Sequence, residues 1–158
     1  MRISERGLKL LSDWEGLRNE VYLDVAKFPT IGIGHLLTKD ELSSNKILID
    51  GINVDYSFGL TNIQIERLLV KDLMKIEEKI NKLITVDISQ NQYDAIVIFV
   101  FNIGIGAFER STFLKLLNNK KFDQLPNQFR RWNKSGGQII SGLIHRRENE
   151  IKLFEGLL

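Results

Sequence analysis

The stretch Trp14–His35, W-E-G-L-R-N-E-V-Y-L-D-V-A-K-F-P-T-I-G-I-G-H, sets the character of the chain. Upstream of it Ser4 is a candidate N-cap, and Ile3, Leu8, Leu11 and Trp14 recur at helical spacing, with Leu10 widening the stripe. A helix from about Glu5 to Trp14 follows, and Gly16 is placed to stop it. Downstream, Val21, Leu23 and Val25 alternate with Tyr22, Asp24 and Ala26, and Thr30 to His35 alternates again after Pro29. Period two marks two antiparallel strands joined through Ala26, Lys27, Phe28 and Pro29. On such strands Asp24 lies opposite Leu23 and Val25, and Thr30 opposite Ile31, so both polar side chains can face a cleft while the aliphatics pack behind. Gly32 and Gly34 bare one face of the second strand to a ligand or another backbone.

A chain of 158 residues suits one domain with two small lobes and can bury roughly two thirds of its unfolded surface. With 27% charged residues and only 2 Pro it reads as an ordinary globular protein rather than a disordered or fibrous one. The absence of Cys excludes disulfides and thiolate metal sites. Arg2, Glu5, Arg6 and Lys9 interrupt any apolar signal core at the N-terminus, so no secretory signal is expected. The most apolar run, Ala95 to Phe101, is far shorter than the ~20 residues a bilayer needs and is expected to be a buried helix.

Net charge is only +2, but its distribution is uneven. From Arg110 onward ten Lys/Arg stand against four Asp/Glu, whereas Met1 to Glu109 carries twelve against sixteen. Such a split suits either an anionic polymer on one side or a set of solvated helix faces.

Thr61 with Gln64 and Ser89 with Gln92 fit the capping-box pattern, and each opens a helix. The first carries Ile65, Leu68, Leu69, Leu73, Ile76 and Ile80, runs to about Leu83 and is long enough to join two lobes. The second, Asn91 to about Ile103, is apolar almost all round and is expected at the centre of the larger lobe, with Gly104 and Gly106 ending it. Three more helical segments follow at Thr112–Asn118, Phe122–Trp132 and Leu143–Phe154, separated by Lys120-Lys121 and Ser135-Gly136-Gly137. Pro126 fits the middle one only in a first turn, as when the helix starts near Asp123. Leu36 to Tyr56 has no decisive period: Ile47 to Ile49 fit a strand, Asp50-Gly51 a turn and Leu42 to Asn45 a helical turn. The expected fold is α+β and mainly helical. A sheet lobe spans about 13–60, a connecting helix 61–83, and a helical lobe 1–12 with 84–158.

Glu15 falls at a helix C-terminus, where the dipole disfavours a carboxylate, the sense a general acid needs. Asp24 is a candidate base, and the Thr30 hydroxyl, which both donates and accepts, a candidate holder of water. Two carboxylates flanking a cleft are what glycosidic cleavage requires. Spacing alone does not separate this reading from two ordinary surface acids. His35 is read as structural, with Asp72 as its carboxylate partner, because histidine gains a charged partner readily near neutral pH. Arg146 is the first choice for an ion pair that orients Glu15. With His145 as the other histidine and no Cys, no metal and no cofactor is expected. Trp14 and Trp132 sit in apolar helical patterns and read as core. The basic C-terminal third lacks any nucleic-acid motif, so no nucleic-acid partner is expected.

Asp13-Trp14-Glu15-Gly16-Leu17-Arg18, then Tyr22-Leu23-Asp24, then Thr30 to His35 resembles the phage-type lysozymes, also called endolysins, of glycoside hydrolase family 24. The spacing Glu, eight residues, Asp, five residues, Thr is that of the T-even phage branch. Asn91 to Ala95, Phe101 to Phe108, Arg130-Arg131-Trp132 and Gly142 to Glu148 resemble the C-terminal lobe of the same family. The resemblance implies a lysozyme-like fold with the two lobes above. It also implies a muramidase cutting the β-1,4 bond between N-acetylmuramic acid and N-acetylglucosamine in peptidoglycan, with inversion as the expected outcome. Glu15 is then the acid, Asp24 the second carboxylate, Thr30 the residue placing water, and Leu36, Phe101 and Ser111 line the cleft. A monomer acting from the host cytoplasm on the periplasmic wall, through a holin-like pore former, is implied as well. The competing readings are a lytic transglycosylase and a non-catalytic peptidoglycan-binding module.

Overall fold

The computed structural model describes residues 1–24 and 26–158. The chain divides into two compact units, one of Lys9–Lys75 and one of Met1–Leu8 with Ile76–Leu158. Helix α1 (Glu5–Glu15) and helix α3 (Asn62–Leu83) each contribute residues to both.

In the Lys9–Lys75 unit, α1 ends where Gly16 takes φ +74° and donates its N–H to Ser12 O, a left-handed stop open to glycine without steric cost. Strands β1 (Arg18–Leu23), β2 (Pro29–Gly32) and β3 (His35–Leu36) form an antiparallel sheet with β2 in the middle. Tyr22 pairs with Thr30, and Thr30 in turn with Leu36, with a register shift between Arg18 and Tyr22. The expected in-and-out alternation does not hold here. Val21 and Leu23 are exposed while Tyr22 is half-buried, and both Thr30 and Ile31 are buried. Alternation separates two faces but does not say which is covered, and β1 is an edge strand whereas β2 has a neighbour on each side. Val25, expected to continue the first strand, lies outside the described residues. Gly32 and Gly34 do not open a strand face. Gly32, the last residue of β2, and Gly34, in the tight turn to β3, both have positive φ, and a Cβ on Gly32 would stand 3.2 Å from the Ile65 side chain.

The stretch without a decisive period holds three elements. Helix α2 (Lys39–Ser44) is opened by a Thr38–Glu41 capping box, and β4 (Lys46–Ile49) pairs with β5 (Ile52–Asp55) as a hairpin turning at Asp50-Gly51. Ile31, Ile33, Ile47, Ile49, Leu60, Ile65 and Leu68 are buried in this unit.

In the other unit α4 (Gln90–Ile103) buries every residue from Tyr93 to Val100, as its all-round apolar pattern demands, and packs on α8 (Ser141–Phe154). Gly104 ends α4, but Gly106 lies inside a further helix, α5 (Ile105–Glu109), a correction to the reading in which both glycines are breaks. Helix α6 (Thr112–Asn118) follows. The segment expected as one helix to Trp132 is a 3-10 turn (Phe122–Gln124) leading into α7 (Leu125–Arg130), with Pro126 in its first turn where no intrahelical N–H is needed. A small hairpin of β6 (Lys134–Ser135) and β7 (Gln138–Ile139) turns at Gly136-Gly137. Phe99, Phe113 and Phe129 make a mutually edge-on or tilted aromatic cluster, joined by Phe108, Phe154 and Trp132.

The first residues are anchored to this unit by two buried carboxylates. Glu77 accepts from the Ile3 N–H and the Arg2 guanidinium, and Asp94 accepts from the Ser4 N–H and hydroxyl.

Candidate active site

Glu15, Asp24 and Thr30 all belong to the Lys9–Lys75 unit. Glu15 is the last residue of α1, half-buried, and only Gly16 and Leu17 separate it from β1. Asp24 follows β1 directly, and its geometry is set by the turn it opens. Its Oδ1 accepts the N–H groups of Ala26 at 2.9 Å and Phe28 at 2.8 Å, while its own carbonyl accepts the Lys27 N–H at 2.9 Å. Aspartate favours such turns because its short side chain reaches the backbone two residues on. Lys27 adopts φ +67° to close the turn. Both side-chain bonds fall on Oδ1, so neither engages Oδ2.

Phe28 is the node of the arrangement. Its N–H holds the Asp24 carboxylate, and its carbonyl accepts both the Asp24 N–H at 3.0 Å and the Thr30 hydroxyl at 2.9 Å. One peptide unit on each side of Phe28 thus ties Asp24 to Thr30, and its ring is 58% exposed. Sequence reading assigns Phe28 only to a turn, since a role played through the backbone leaves no side-chain signature. Thr30 itself is buried on β2. With its hydrogen donated to Phe28, its oxygen is left as an acceptor toward any third group.

His35, on β3, stands between two carboxylates. Nδ1 is 2.7 Å from Asp72 Oδ2 on α3, and Nε2 is 3.1 Å from Glu41 Oε2 on α2. Burial alone disfavours the imidazolium, but the hydrogen bond and charge of Asp72, then those of Glu41, outweigh it and raise the His35 pKa above 6.5. Burial likewise pushes Glu41 up. The Thr38 N–H and His35 outweigh that and hold it below 4.5. Glu41 is the member that sequence reading misses, although Thr38-x-x-Glu41 has the capping-box spacing recognised at Thr61 and Ser89. Among the described residues no group of three or more His, Cys, Asp or Glu side chains is placed to hold a metal ion.

Leu36, paired with Thr30 across the sheet, is 54% exposed in the same unit. Phe101, Ser111 and Arg146 belong to the other unit. Phe101 is half-buried near the end of α4. Ser111 is the N-cap of α6, its hydroxyl donating to Phe108 O at 2.7 Å and accepting the Leu114 N–H at 3.1 Å. Arg146, on α8, donates from Nε to Glu150 at 3.1 Å. Trp14 and Trp132 are both half-buried.

A mainly helical α+β chain, with a carboxylate at the end of its first helix and a second locked in the first turn of a three-stranded sheet, is a lysozyme-like protein. Solved structures bear this out. A crystal structure of a mutant P22 lysozyme superposes with a TM-score of 0.79 at 37% identity, covering 98% of this chain and 99% of that one. The muramidase domain of SpmX from Asticaccaulis excentricus gives 0.78 at 32% identity, with 97% of each chain covered. The chain belongs to the phage lysozyme family, whose model matches residues 12–150. It is 38% identical over 156 residues to the endolysin of Bacillus phage B103, covering 98% of this chain and 54% of the relative. The chain therefore spans about half the length of that relative. No helix among the described residues is long and apolar enough to cross a membrane.

Proposed function

We propose that this protein is a peptidoglycan hydrolase of the muramidase type. It cleaves the β-1,4 bond between N-acetylmuramic acid and N-acetylglucosamine with inversion, in the lysis of a host cell by a phage. The observation that carries this reading is the Phe28 clamp, which fixes Asp24 and Thr30 to one backbone unit, in the same compact unit as Glu15. Family membership and the muramidase name of one structural relative support the choice of substrate.

In this reading Glu15 enters protonated and gives its proton to the glycosidic oxygen as the bond to the anomeric carbon breaks. A water on the opposite face attacks that carbon. The Thr30 oxygen, its own hydrogen committed to Phe28, accepts one hydrogen of this water, and Asp24 takes the other as its proton. The two acceptors turn the water's lone pair toward the sugar. Leu36 offers an exposed apolar contact to the saccharide, and Phe101 and Ser111 are assigned to substrate by family resemblance. His35, held by Asp72, ties β3 to α3, and Arg146 has a structural role. No cofactor is required. A monomer crossing the membrane by a holin-like pore, from host cytoplasm to periplasmic wall, completes the proposal.

The test is digestion of purified peptidoglycan. Glu15→Gln should lower turnover by roughly 10²–10⁴-fold with the fold intact. Freshly released reducing ends should be the α-anomer of N-acetylmuramic acid by NMR. Anhydro sugars by mass spectrometry would point to a transglycosylase, a β-anomer to retention, and undiminished turnover by Glu15→Gln would end the assignment.

A further inference from the structure

Helix α3 carries an exposed face that the proposed reaction does not use. At ~100° per residue Ile63, Val70 and Met74 fall within about 40° of one another, and Arg67, Lys71 and Lys75 occupy the next ~80° of the circumference. The three apolar residues are 43% to 68% exposed. Across from them the β4–β5 hairpin presents Leu48, also exposed. Between helix and hairpin lies a groove of about 480 Å³ lined by Leu48, Val70 and Met74 with Asp50, Arg67 and Lys71 at its rim. All of these residues lie in the Lys9–Lys75 unit.

An exposed apolar floor of this kind calls for an occupant, and the charges say which. Arg67 pairs with Asp50 at 3.0 Å. Lys71 reaches over the hairpin to donate to the neutral Leu48 carbonyl at 2.6 Å, a contact that leaves its charge uncompensated. Lys75 continues the cationic row one turn on. Of the nearby acids on the helix, Glu66 falls on the far edge of the apolar row, Asp72 is bound to His35, and Glu78, in line with the cations one turn past Lys75, is paired with Lys82. An apolar row bordered by cations with flexible aliphatic stems is the pattern of a helix lying in a lipid interface, where stems run along the acyl region and the heads meet phosphates.

We propose that the exposed face of α3 and the β4–β5 hairpin seat this protein on an anionic phospholipid bilayer. Ile63, Val70, Met74 and Leu48 enter the interface, and Lys71 and Lys75 meet the headgroup phosphates. This surface is separate from Glu15, Asp24 and Thr30, and its occupancy does not depend on the muramidase reading.

The test is co-sedimentation of the full chain with vesicles of phosphatidylcholine alone and of phosphatidylcholine carrying a quarter phosphatidylglycerol. Wild type should sediment with the second and not the first, and added salt should weaken binding. Lys71→Gln and Lys75→Gln should each lower the partition coefficient about fivefold. Val70→Asn with Met74→Gln should lower it further, while Lys120→Gln with Lys121→Gln, in the other unit, should leave it unchanged. Circular dichroism checks that each variant is folded, and digestion of lipid-free walls should be the same for all of them. Equal binding by the α3 variants, an equal loss in the Lys120/Lys121 variant, or no preference for the anionic vesicles overturns the proposal. So does self-association of wild type in sedimentation velocity that the α3 variants abolish, since the face would then belong to a second copy.

Discussion

A neutral imidazole has one N–H to give and one lone pair to offer, yet His35 faces a carboxylate oxygen at each nitrogen. Only the imidazolium satisfies both. Its folded pKa lies above 6.5, so the stability it contributes is fully present below about pH 6.5 and is lost as pH rises through the folded value. Glu41 has the opposite sense. Held below 4.5, it contributes above about pH 4.5 and loses that contribution as pH falls through its folded value. The cluster should therefore be strongest between these limits. In urea titrations the midpoint gap between wild type and His35→Asn should be largest near pH 5.5 and shrink steadily toward pH 9. A gap that stays constant over that range would show that His35 acts by packing alone. Part of this cluster is legible in the sequence: the Asp72 carboxylate named as the partner of His35 stands 2.7 Å from it. Glu41 is not named, because the helix it caps falls where no hydrophobic period announces a helix. For the candidate catalytic set, the family resemblance rather than spacing alone singles out Glu15, Asp24 and Thr30, and the clamp that joins two of them is made of Phe28 backbone, which no side-chain pattern encodes.

Helices whose first turn is closed by side chains were the elements best marked along the chain. At α4 the Ser89 Oγ accepts the Gln92 N–H at 3.2 Å and Gln92 Oε1 accepts the Ser89 N–H at 2.9 Å. Thr61 and Gln64 do the same at α3. Each box satisfies two N–H groups that a helix start would otherwise leave to water. Because α4 is buried from Tyr93 to Val100, a fault at its start is felt by its whole unit. Ser89→Ala should cost about 1 kcal/mol, read as a lower urea midpoint, and Ser89→Asp should recover most of it. An unchanged midpoint in Ser89→Ala would mean that solvent replaces the cap without loss. Strands are harder to read than helices here for a physical reason. β3, β6 and β7 are two residues long, too short to show a period, and the alternation of β1 carries no mark of its being an edge strand. Helix α5 follows α4 after Gly104 alone, so its five residues read as a continuation of the break.

At the scale of the chain, the boundary between the two units falls between Lys75 and Ile76, inside α3. Sequence patterning cannot show it, since the apolar stripe of the helix runs on unbroken from Leu73 to Ile76 and Ile80. The units differ in charge. Lys9–Lys75 has 8 Lys/Arg against 10 Asp/Glu, and the rest of the chain 14 against 10. Two of those cations are not surface charges. Arg147 is 1% exposed, donates to Glu150 at 2.7 Å and to Asn102, and lies 5.0 Å from the centre of the Phe99 ring. Glu150, fully buried, also accepts from Arg146. Such a group contributes little net stability when complete, because desolvation offsets the attraction, yet removing one member strands a charge in a medium that cannot solvate it. Glu150→Gln should therefore destabilise the chain by about 3–5 kcal/mol, a large share of the ~5–15 kcal/mol that holds an ordinary domain together. Replacing all three members, Arg146→Met and Arg147→Met with Glu150→Leu, should cost much less than the single change. Equal losses in the single and triple variants by urea unfolding would show that the hydrogen bonds of this cluster, rather than the stranded charge, set the stability of the α4–α8 pair.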